Sequence, residues 1–480
     1  MTVKDITKLD RLFYPKSIAV VGATPKEKMI GSGNMFIEGA FRQGFQGMIY
    51  PIHPEAESIL GFKAYPSLRA IPDEVDLVIF SIPLTSVIPV MEDCAAKGVK
   101  FVHMFTAGFS ETGRIEAAEI EQKAIAIARR NGFRIIGPNC MGVYCPEGGV
   151  SFQPDLPTEV GPVAFVSQSG SLVHDFVMKG VYQGLGFSKI VSFGNAGDLQ
   201  PHEFLAYLAC DKKTKVIGSY IEGLKDGRAF FETAKRMTGN KPLVVLKGGQ
   251  TEGGTRATMS HTASLAGSPK VWTALCRQSG IISVDSTEEL ISTLAALQRM
   301  PNLSGLNAAI FGEFGGGSVL MTDVAEKAGL KVPHLSAGTI RRLEEFIPFE
   351  GHSVKNPLDA GTALFSPFHF NRLIEVLNDD PITDMLVFVQ QLDFFHRMLG
   401  GRAGLKILKQ MTMDAKELIK KPIVIVLEPD EDPTINGLRQ ELEEDYHSAG
   451  LATFSSFDLA ARVCVNLYQY NNYLAAAGKT

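Results

Sequence analysis

Short runs of apolar and β-branched residues recur along the chain, and longer stretches with helical periodicity separate them. The runs are apolar throughout rather than alternating with polar residues, as expected of parallel strands buried on both faces. Strands that alternate with helices predict βαβ units and doubly wound sheets. The predicted strands are residues 17–23, 47–52, 75–82, 99–106, 133–137, 163–167, 189–193, 216–221, 243–247, 281–285, 308–312, 385–390, 423–427 and 452–455.

Two breaks in this pattern predict domain boundaries. Residues 146–162 are rich in Pro and Gly with little periodicity, and residues 300–306 (MPNLSGL) precede a fresh strand. Cutting the chain there gives pieces of the common domain size. We therefore expect three tandem α/β domains, formed by residues 1–147, 148–302 and 303–480.

Composition excludes several classes of protein. The 480 residues are 45% hydrophobic and 21% charged, an ordinary globular mix, and the net charge of −5 lacks the basic excess of a nucleic-acid binder. The six cysteines form neither a disulfide framework nor a zinc-site spacing, so we expect a reducing cytoplasm and no metal. No apolar run has the length of a signal peptide or a membrane span.

Polar or Gly-containing turns follow the strands of the first predicted domain. Gly22 and Ala23 end the first strand, but the spacing is not GxGxxG, so a tight structural turn and a phosphate site stay equally open. The later turns contain Pro51, Ser81, Pro83, Ala107 and Asn139. Because the carboxyl ends of parallel strands meet at one edge of a sheet, these turns should gather into one site.

The second and third domains each begin with a strand, a turn of small residues and a helix. In the second domain the turn is Ser167, Gln168, Ser169, Gly170 and Ser171; in the third it is Gly315, Gly316, Gly317 and Ser318. Free N–H groups and the helix dipole suit a phosphate or carboxylate at such a position. A serine nucleophile is the alternative in SQSGS, but the sequence is not a G-x-S-x-G elbow.

A long Gly-rich stretch, residues 247–267, has little periodicity and is predicted to be a loop around His261. A lone histidine is more often a packing or surface residue. Glu222, at the end of a predicted strand, could orient the imidazole by accepting its second N–H. Two helix N-termini facing a phosphorylated histidine would form a charge-stabilised phosphate pocket.

At this point the motifs SIAVVGAT, AGFSETG, GPNCMG, VSQSGSL, SFGNAGD, YIEGLKDGR, SHTASLAG and GEFGGGS resemble, in order, those of a known family. The chain is similar to the NDP-forming acyl-CoA synthetases of the succinyl-CoA synthetase superfamily, in the arrangement of the α subunit of ADP-forming acetate–CoA ligases. The resemblance implies a Rossmann-like CoA-binding domain followed by two flavodoxin-like, succinyl-CoA-synthetase-type domains.

The resemblance also implies a reaction, in which acid, CoA and ATP give acyl-CoA, ADP and phosphate through an acyl phosphate and a phosphohistidine. Carried over, His261 is the phosphorylated residue and Glu222 its orienting carboxylate. Ser167–Ser171 and Gly315–Ser318 become the two phosphate-binding helix N-termini. The turns that should meet CoA contain Gly22, Ala23, Lys26, Pro51, Ser81, Pro83, Ala107 and Asn139.

Two departures from the family pattern shape the prediction. Ala263 and Ser264 replace Gly and Ala in the histidine loop, which bears on its mobility and not on its histidine. The chain has no ATP-grasp region and no G-x-x-x-x-G-K-[ST] loop, so we expect an ATP-grasp β subunit that holds ATP or ADP with Mg²⁺ in a hetero-oligomer.

The alternatives are a CoA- or phosphate-dependent acyl or carbamoyl transferase without the nucleotide step, and a non-catalytic nucleotide-binding or regulatory module built on the Rossmann-like domain. His261 together with Glu222 argues against the regulatory module. The substrate is expected to be a small carboxylic acid of unspecified structure, with neither nucleic acid nor membrane as a partner.

Overall fold

A computed structural model describes residues 8–25, 33–262, 267–348 and 350–479, without the side chains of 259–262 and 362. Each predicted strand is present, with bounds that differ by a few residues. The strands are β1 Ser17–Val21, β2 Met48–Ile52, β3 Ser58–Ile59, β4 Phe62–Lys63, β5 Leu77–Phe80, β6 Phe101–Met104, β7 Arg134–Ile136, β8 Gly142–Tyr144, β9 Val160–Ser167, β10 Phe187–Ser192, β11 Val216–Ile221, β12 Leu243–Lys247, β13 Ile282–Val284, β14 Ala308–Gly312, β15 Leu358–Asp359, β16 Met385–Val389, β17 Ile423–Val426 and β18 Thr453–Phe454.

Helices connect these strands. They are α1 Asp10–Phe13, α2 Asn34–Arg42, α3 Val87–Lys97, α4 Ile115–Asn131, α5 Gly170–Tyr182, α6 Pro201–Cys210, α7 Gly227–Met237, α8 Glu252–Thr262, α9 Pro269–Ser279, α10 Thr287–Arg299, α11 Gly317–Ala328, α12 Ala337–Glu344, α13 Pro367–Asn378, α14 Leu392–Met398, α15 Arg402–Ala415, α16 Pro433–Ser448 and α17 Phe457–Ala476. The alternation of strands and helices confirms the predicted α/β class.

The chain packs as two units, Met1–Thr287 and Glu288–Thr480. The first unit contains two large sheets and the small antiparallel pair β3-β4, and the first large sheet has the parallel order β2-β1-β5-β6-β7. All five residues of β1 are buried, as the apolar sequence SIAVV predicts for a strand covered on both faces. The chain leaves β1 toward β2 and returns on the other side to β5, so the topological switch point lies between β1 and β5.

The second sheet has the order β13-β12-β11-β9-β10-β8. Its strands are parallel except β8, which pairs antiparallel with β10 and was not predicted from the sequence. β8 begins only a few residues after β7, so the chain passes from the first sheet to the second in a single turn. That turn is the GPNCMG motif of the sequence analysis.

The second unit contains one parallel sheet with the order β15-β14-β16-β17-β18. Neighbouring residues of β14 enter separate apolar clusters: Phe311 joins one cluster and Ile310 the other. Because successive side chains of a strand point to opposite faces, this sheet is covered by apolar contacts on both sides. The domain boundaries at 147/148 and 302/303 stay predictions.

Candidate functional site

The turns after β5, β6 and β7 surround a cavity of about 420 Å³ in the first unit. We call it the carboxyl-end cavity; residues 81–84, 105–107 and 139–141 line it. Four of the residues predicted to meet CoA are therefore brought together here. They are Ser81, Pro83, Ala107 and Asn139.

Gly22 lies beside this cavity, at the switch point between β1 and β5. Its φ angle is +98°, and a Cβ atom at this position would lie 2.0 Å from the carbonyl oxygen of Ser81. The Ser81 N–H in turn donates to the Val21 carbonyl at 2.9 Å. Only glycine fits this close approach, so the backbone of the turn after β1 packs directly against the backbone that lines the cavity.

The other residues predicted to meet CoA have different positions. Ala23 is buried, with only 2% of its surface exposed, in the turn after β1. Pro51 is a buried residue of β2, inside the predicted strand 47–52, and does not lie in the turn after that strand, where the sequence analysis also placed it. β2 is an edge strand of its sheet, where the missing proline N–H is tolerated. Lys26 lies outside the described residues.

The carboxyl-end cavity adjoins the N-terminus of α5. Met141 lines the cavity, and its Cγ atom lies so close to Gly170 that a Cβ atom there would approach it to 2.7 Å. The Met141 N–H donates to the Ser192 hydroxyl at the end of β10, at 3.1 Å. A ligand in the cavity would therefore have one end near the first residues of α5.

The SQSGS turn divides into an internally bonded part and a helix N-terminus. The Ser167 hydroxyl is buried; it donates to the Ser169 carbonyl at 2.8 Å and accepts from the Ser169 N–H at 3.2 Å. The Ser169 hydroxyl caps α5 by accepting from the Leu172 N–H at 3.4 Å, and it contacts the Ser171 hydroxyl at 3.3 Å. Gly170 and Ser171 thus provide the first N–H groups of a 13-residue helix, the part suited to an anion.

Gln168 fastens this turn to Glu222. Its Oε1 atom accepts from the Glu222 N–H at 2.9 Å and from the Gly223 N–H at 3.1 Å. Glu222 is 4% exposed, and its carboxylate accepts a hydrogen bond from the Tyr220 hydroxyl at 3.2 Å. Burial, and after it the charge of Glu222, raises the pKa of Tyr220, which keeps this hydroxyl a donor. The two predicted site residues therefore lie in directly bonded turns.

A buried lysine, Lys247, also holds the turn that contains Glu222. The Lys247 ammonium group donates to the Glu222 carbonyl oxygen at 2.7 Å and also to the Gly248 carbonyl oxygen. Burial lowers the pKa of Lys247, and the nearby Glu222 carboxylate opposes that change. Lys247 thus joins the ends of β11 and β12 where the chain turns toward α8.

The stretch before His261 is helical, and the prediction of a loop across residues 247–267 is wrong for that part. α8 extends from Glu252 to Thr262. The Thr251 hydroxyl accepts from the Gly254 N–H at 3.0 Å, and Arg256 pairs with Glu252 at 3.1 Å, one helical turn away. These contacts at the first turn offset part of the low helix propensity of the glycines there.

α8 carries the backbone of His261 near its C-terminal end and contacts the 3-10 turn Ser110–Thr112. That turn follows Ala107 of the carboxyl-end cavity. The helix therefore begins at the Glu222 side of the site and reaches the loop beside the cavity. The His261 side chain lies outside the described part of the chain, so its pairing with Glu222 stays a prediction.

Gly315–Ser318 lie in the second unit, where the turn after β14 leads into α11, and Gly317 and Ser318 are the first two residues of that helix. The Gly315 N–H donates to Asp359 Oδ2 at 3.3 Å, and the Ser318 hydroxyl donates to the Gly315 carbonyl at 3.1 Å. Burial, and after it the charge of Asp359, raises the pKa of the neighbouring Glu313 carboxyl group. His352 Nδ1 lies 3.8 Å from Asp359 Oδ1. Two carboxyl groups, those of Glu313 and Asp359, thus lie near the turn that was predicted to hold phosphate, and that role stays a prediction.

Glu111 and Asn195 were not predicted to be site residues, and they appeared in the sequence analysis only within the motifs AGFSETG and SFGNAGD. Glu111 Oε2 accepts from Asn195 Nδ2 at 2.6 Å, and Asn195 Oδ1 accepts from Asn139 Nδ2 at 3.4 Å. The contacts join three loops that are far apart in the chain, so spacing alone could not reveal them. The only signal was that each residue lies in a motif at a strand end.

Residues 16–146 match the CoA binding domain family, and residues 160–297 match the succinyl-CoA ligase like flavodoxin domain family. The chain is 40% identical over 381 residues to the "Acetate–CoA ligase [ADP-forming] II subunit alpha" of Pyrococcus furiosus, covering 79% of this chain and 82% of that one.

The chain belongs to the ADP-forming acetate–CoA ligase family. It is also 41% identical over 360 residues to the "Acetate–CoA ligase [ADP-forming] II" of Archaeoglobus fulgidus, covering 74% of this chain and 52% of that protein. Our chain thus spans about half the length of some family members and about four fifths of an α subunit. The match confirms the family that the sequence motifs suggested.

A solved structure extends the likeness over nearly the whole chain. The dinucleotide-forming acetyl-coenzyme A synthetase 1 of Ca. Korarchaeum cryptofilum, in complex with phosphate and ADP, is 30% identical. The TM-score is 0.82, and 98% of each chain is covered. The predicted CoA-binding and ligase-type flavodoxin domains are therefore confirmed at the level of fold. In the described part of the chain, no helix combines the length and apolarity that a membrane crossing requires.

Proposed function

We propose that this chain is the CoA-binding and phosphohistidine-carrying part of an NDP-forming acyl-CoA synthetase. The overall reaction is acid + CoA + ATP = acyl-CoA + ADP + phosphate. The observation that carries the proposal is the contact between Met141, in the wall of the carboxyl-end cavity, and Gly170, at the N-terminus of α5. A thioester in the cavity and a phosphate at the helix would be neighbours.

The residues present suit the pantetheine arm of CoA and an anion beside it. Gly22 allows the backbone to approach the cavity wall without a side chain between them. The N–H groups of Gly170 and Ser171 and the dipole of α5 favour a phosphate at the end of the cavity. In the reverse direction, a phosphate oxygen attacks the thioester carbonyl carbon and the C–S bond breaks. CoA leaves as a thiolate that takes up a proton, and the acyl phosphate remains.

His261 would take the phosphoryl group from the acyl phosphate and release the carboxylate. We assign Glu222 the role of accepting the second imidazole N–H, so that the attacking nitrogen keeps its lone pair. The buried position of Glu222, held by Gln168 and Tyr220, suits an orienting group. Nucleotide and Mg²⁺ would bind to an ATP-grasp β subunit in a hetero-oligomer, and the α-subunit name of the Pyrococcus relative supports a partner.

Phosphohistidine formation tests the assignment. The purified chain is incubated with acetyl phosphate, or with acetyl-CoA and radioactive phosphate, and acid-labile label on the protein is measured. We expect label on the wild type, none on His261→Ala, and normal label on His334→Ala, an exposed histidine of the second unit. Label that persists in His261→Ala would refute the role of His261.

Adding ADP separates the synthetase from a transferase without a nucleotide step. We expect the labelled chain to keep its phosphoryl group with ADP and Mg²⁺ alone, and to release it as ATP once an ATP-grasp subunit is added. Acyl transfer to an acceptor without phosphohistidine would favour the transferase. Acyl-CoA formation from ATP by the chain alone, free of partner by mass spectrometry, would refute the division between two subunits.

A further inference from the structure

Three side chains form a directed chain of hydrogen bonds that ends at the carboxyl-end cavity. Glu111 accepts from Asn195 at 2.6 Å, and Asn195 accepts from Asn139, which lines the cavity, at 3.4 Å. Asn195 is only 5% exposed. Its backbone N–H donates to the Pro138 carbonyl at 3.0 Å, which fixes it beside the turn of Asn139.

The chemistry of Glu111 sets the direction of this chain. Glu111 Oε1 accepts the backbone N–H groups of Gly108 and Phe109, the latter at 3.1 Å. A carboxylate offers only acceptors, and an amide oxygen placed 2.6 Å from Oε2 would repel it. Asn195 must therefore turn its NH₂ group to Glu111 and its carbonyl oxygen to Asn139.

The orientation of the Asn139 amide follows from that of Asn195. The carbonyl oxygen of Asn195 requires a donor, and the NH₂ group of Asn139 supplies it. Oδ1 of Asn139 is thereby directed away from Asn195. Within the described residues, no hydrogen bond to this oxygen is formed by protein groups.

We propose that Glu111 is a positioning residue that makes Asn139 present a carbonyl oxygen, and not an NH₂ group, to the ligand of the carboxyl-end cavity. The ligand group selected there is a hydrogen-bond donor of the CoA pantetheine arm, either its thiol or an amide N–H. This inference rests on the proposed function. Asn139 was predicted from the sequence to lie near CoA, but which of its amide groups faces the ligand was not predicted. Glu111 was given no role.

Neighbouring hydroxyl groups cannot provide the same selection. The Thr106 hydroxyl donates to the Ile82 carbonyl at 2.8 Å and accepts from the Ile82 N–H at 3.3 Å, so it is engaged by the backbone. A serine hydroxyl such as that of Ser81 can rotate to donate or accept. The amide of Asn139 is held in one direction, and it is therefore the group that distinguishes a donor from an acceptor.

Glu111→Gln reverses the direction of these hydrogen bonds without changing the size of the side chain. The introduced amide would keep its oxygen on the N–H groups of Gly108 and Phe109 and turn its NH₂ group to Asn195. Asn195 would then rotate, and Asn139 would present NH₂ to the cavity. Adding Asn195→Asp restores the original direction, because the new carboxylate accepts from the introduced amide on one side and from Asn139 on the other.

Isothermal titration of the full chain with CoA measures the effect. We expect about tenfold weaker binding for Glu111→Gln, as for one hydrogen bond replaced by two facing donors. Asn195→Asp alone should also bind weakly, because two carboxylates then face each other. The double variant should return to within about threefold of the wild type, a recovery that general destabilisation cannot produce. Glu119→Gln, on the exposed surface of α4, is the matched control and should bind normally.

Desulfo-CoA identifies the donor. If the thiol is the donor, Glu111→Gln and the wild type bind desulfo-CoA equally; if an amide is the donor, the variant binds it more weakly by the same factor as CoA. Asn139→Gly, which tolerates the left-handed φ of +56° at this position, should lose the acceptor and bind CoA about tenfold more weakly even if Glu111→Gln fails to fold.

Three results would overturn the inference. They are normal CoA binding by Glu111→Gln, a double variant no better than Glu111→Gln, and normal CoA binding by Asn139→Gly. A wild-type chain that does not bind CoA would instead refute the proposed function, and this inference with it.

Discussion

Replacing Gly22 by alanine tests the close approach at the switch point, on which the carboxyl-end cavity depends. The new Cβ atom would lie 2.0 Å from the Ser81 carbonyl oxygen and 2.7 Å from its carbon, so one backbone segment must move by about 1 Å or more to reach ordinary contact. The φ angle of +98° adds the strain of a left-handed alanine. Together we expect a loss of about 3 kcal/mol in the free energy of unfolding.

The matched control is Gly132→Ala. Gly132 has a φ angle of +77°, but no atom lies within 4 Å of the position of its Cβ, so it carries the backbone strain without the clash. We expect it to lose about 1 kcal/mol and to bind CoA normally. Thermal melts followed by circular dichroism and CoA titration would compare the two variants. A Gly22→Ala chain that melts with the control and binds CoA like the wild type would refute the close approach.

Two further predictions follow from buried polar groups. Gln168→Ala removes the side-chain oxygen that accepts from the Glu222 and Gly223 N–H groups. We expect the free energy of unfolding, measured by denaturant titration, to fall by about 2 kcal/mol and phosphohistidine to form more slowly. Unchanged labelling would contradict the role of Gln168 in holding Glu222. Burial lowers the pKa of His103 to about 4, whereas an unfolded histidine titrates near 6.5, so the unfolded chain binds more protons. The free energy of unfolding present above about pH 6.5 should therefore fall by about 3 kcal/mol as the pH approaches 4. Thermal melts of His103→Gln between pH 7.5 and 5 should show a smaller dependence of stability on pH than the wild type. An equal dependence would contradict the prediction.

The strands and the turns after them could be predicted from the sequence because burial on both faces leaves a local signature. Each apolar run needs only its own residues to be recognised, and the turns of Ser81, Ala107 and Asn139 then follow from the rule that strand carboxyl ends gather. Pro51 shows the limit of that rule: its strand was predicted, but that the strand lies at the edge of the sheet depends on sheet order, which local sequence does not contain.

Other parts of the site could not be predicted because their contacts are nonlocal or their local signals conflict. The glycines at the start of α8 hid a helix whose first turn is held by Thr251 and by the Glu252–Arg256 pair. Asn195 and Glu111 are 84 positions apart in the sequence, and their hydrogen bond exists only once the two large sheets of the first unit have packed.

The short strand β8 has a consequence for how this protein can be divided or recombined. It follows the turn of Asn139 and Met141, yet it belongs to the second sheet, where it pairs with β10. The predicted domain boundary at 147/148 therefore falls after a strand that belongs to the second sheet. A chimaera that takes its first domain from a relative would have to take β8 and the pairing edge of β10 from the same parent. Otherwise β8 would not match the edge of β10, and that edge would be left unpaired beside the cavity wall.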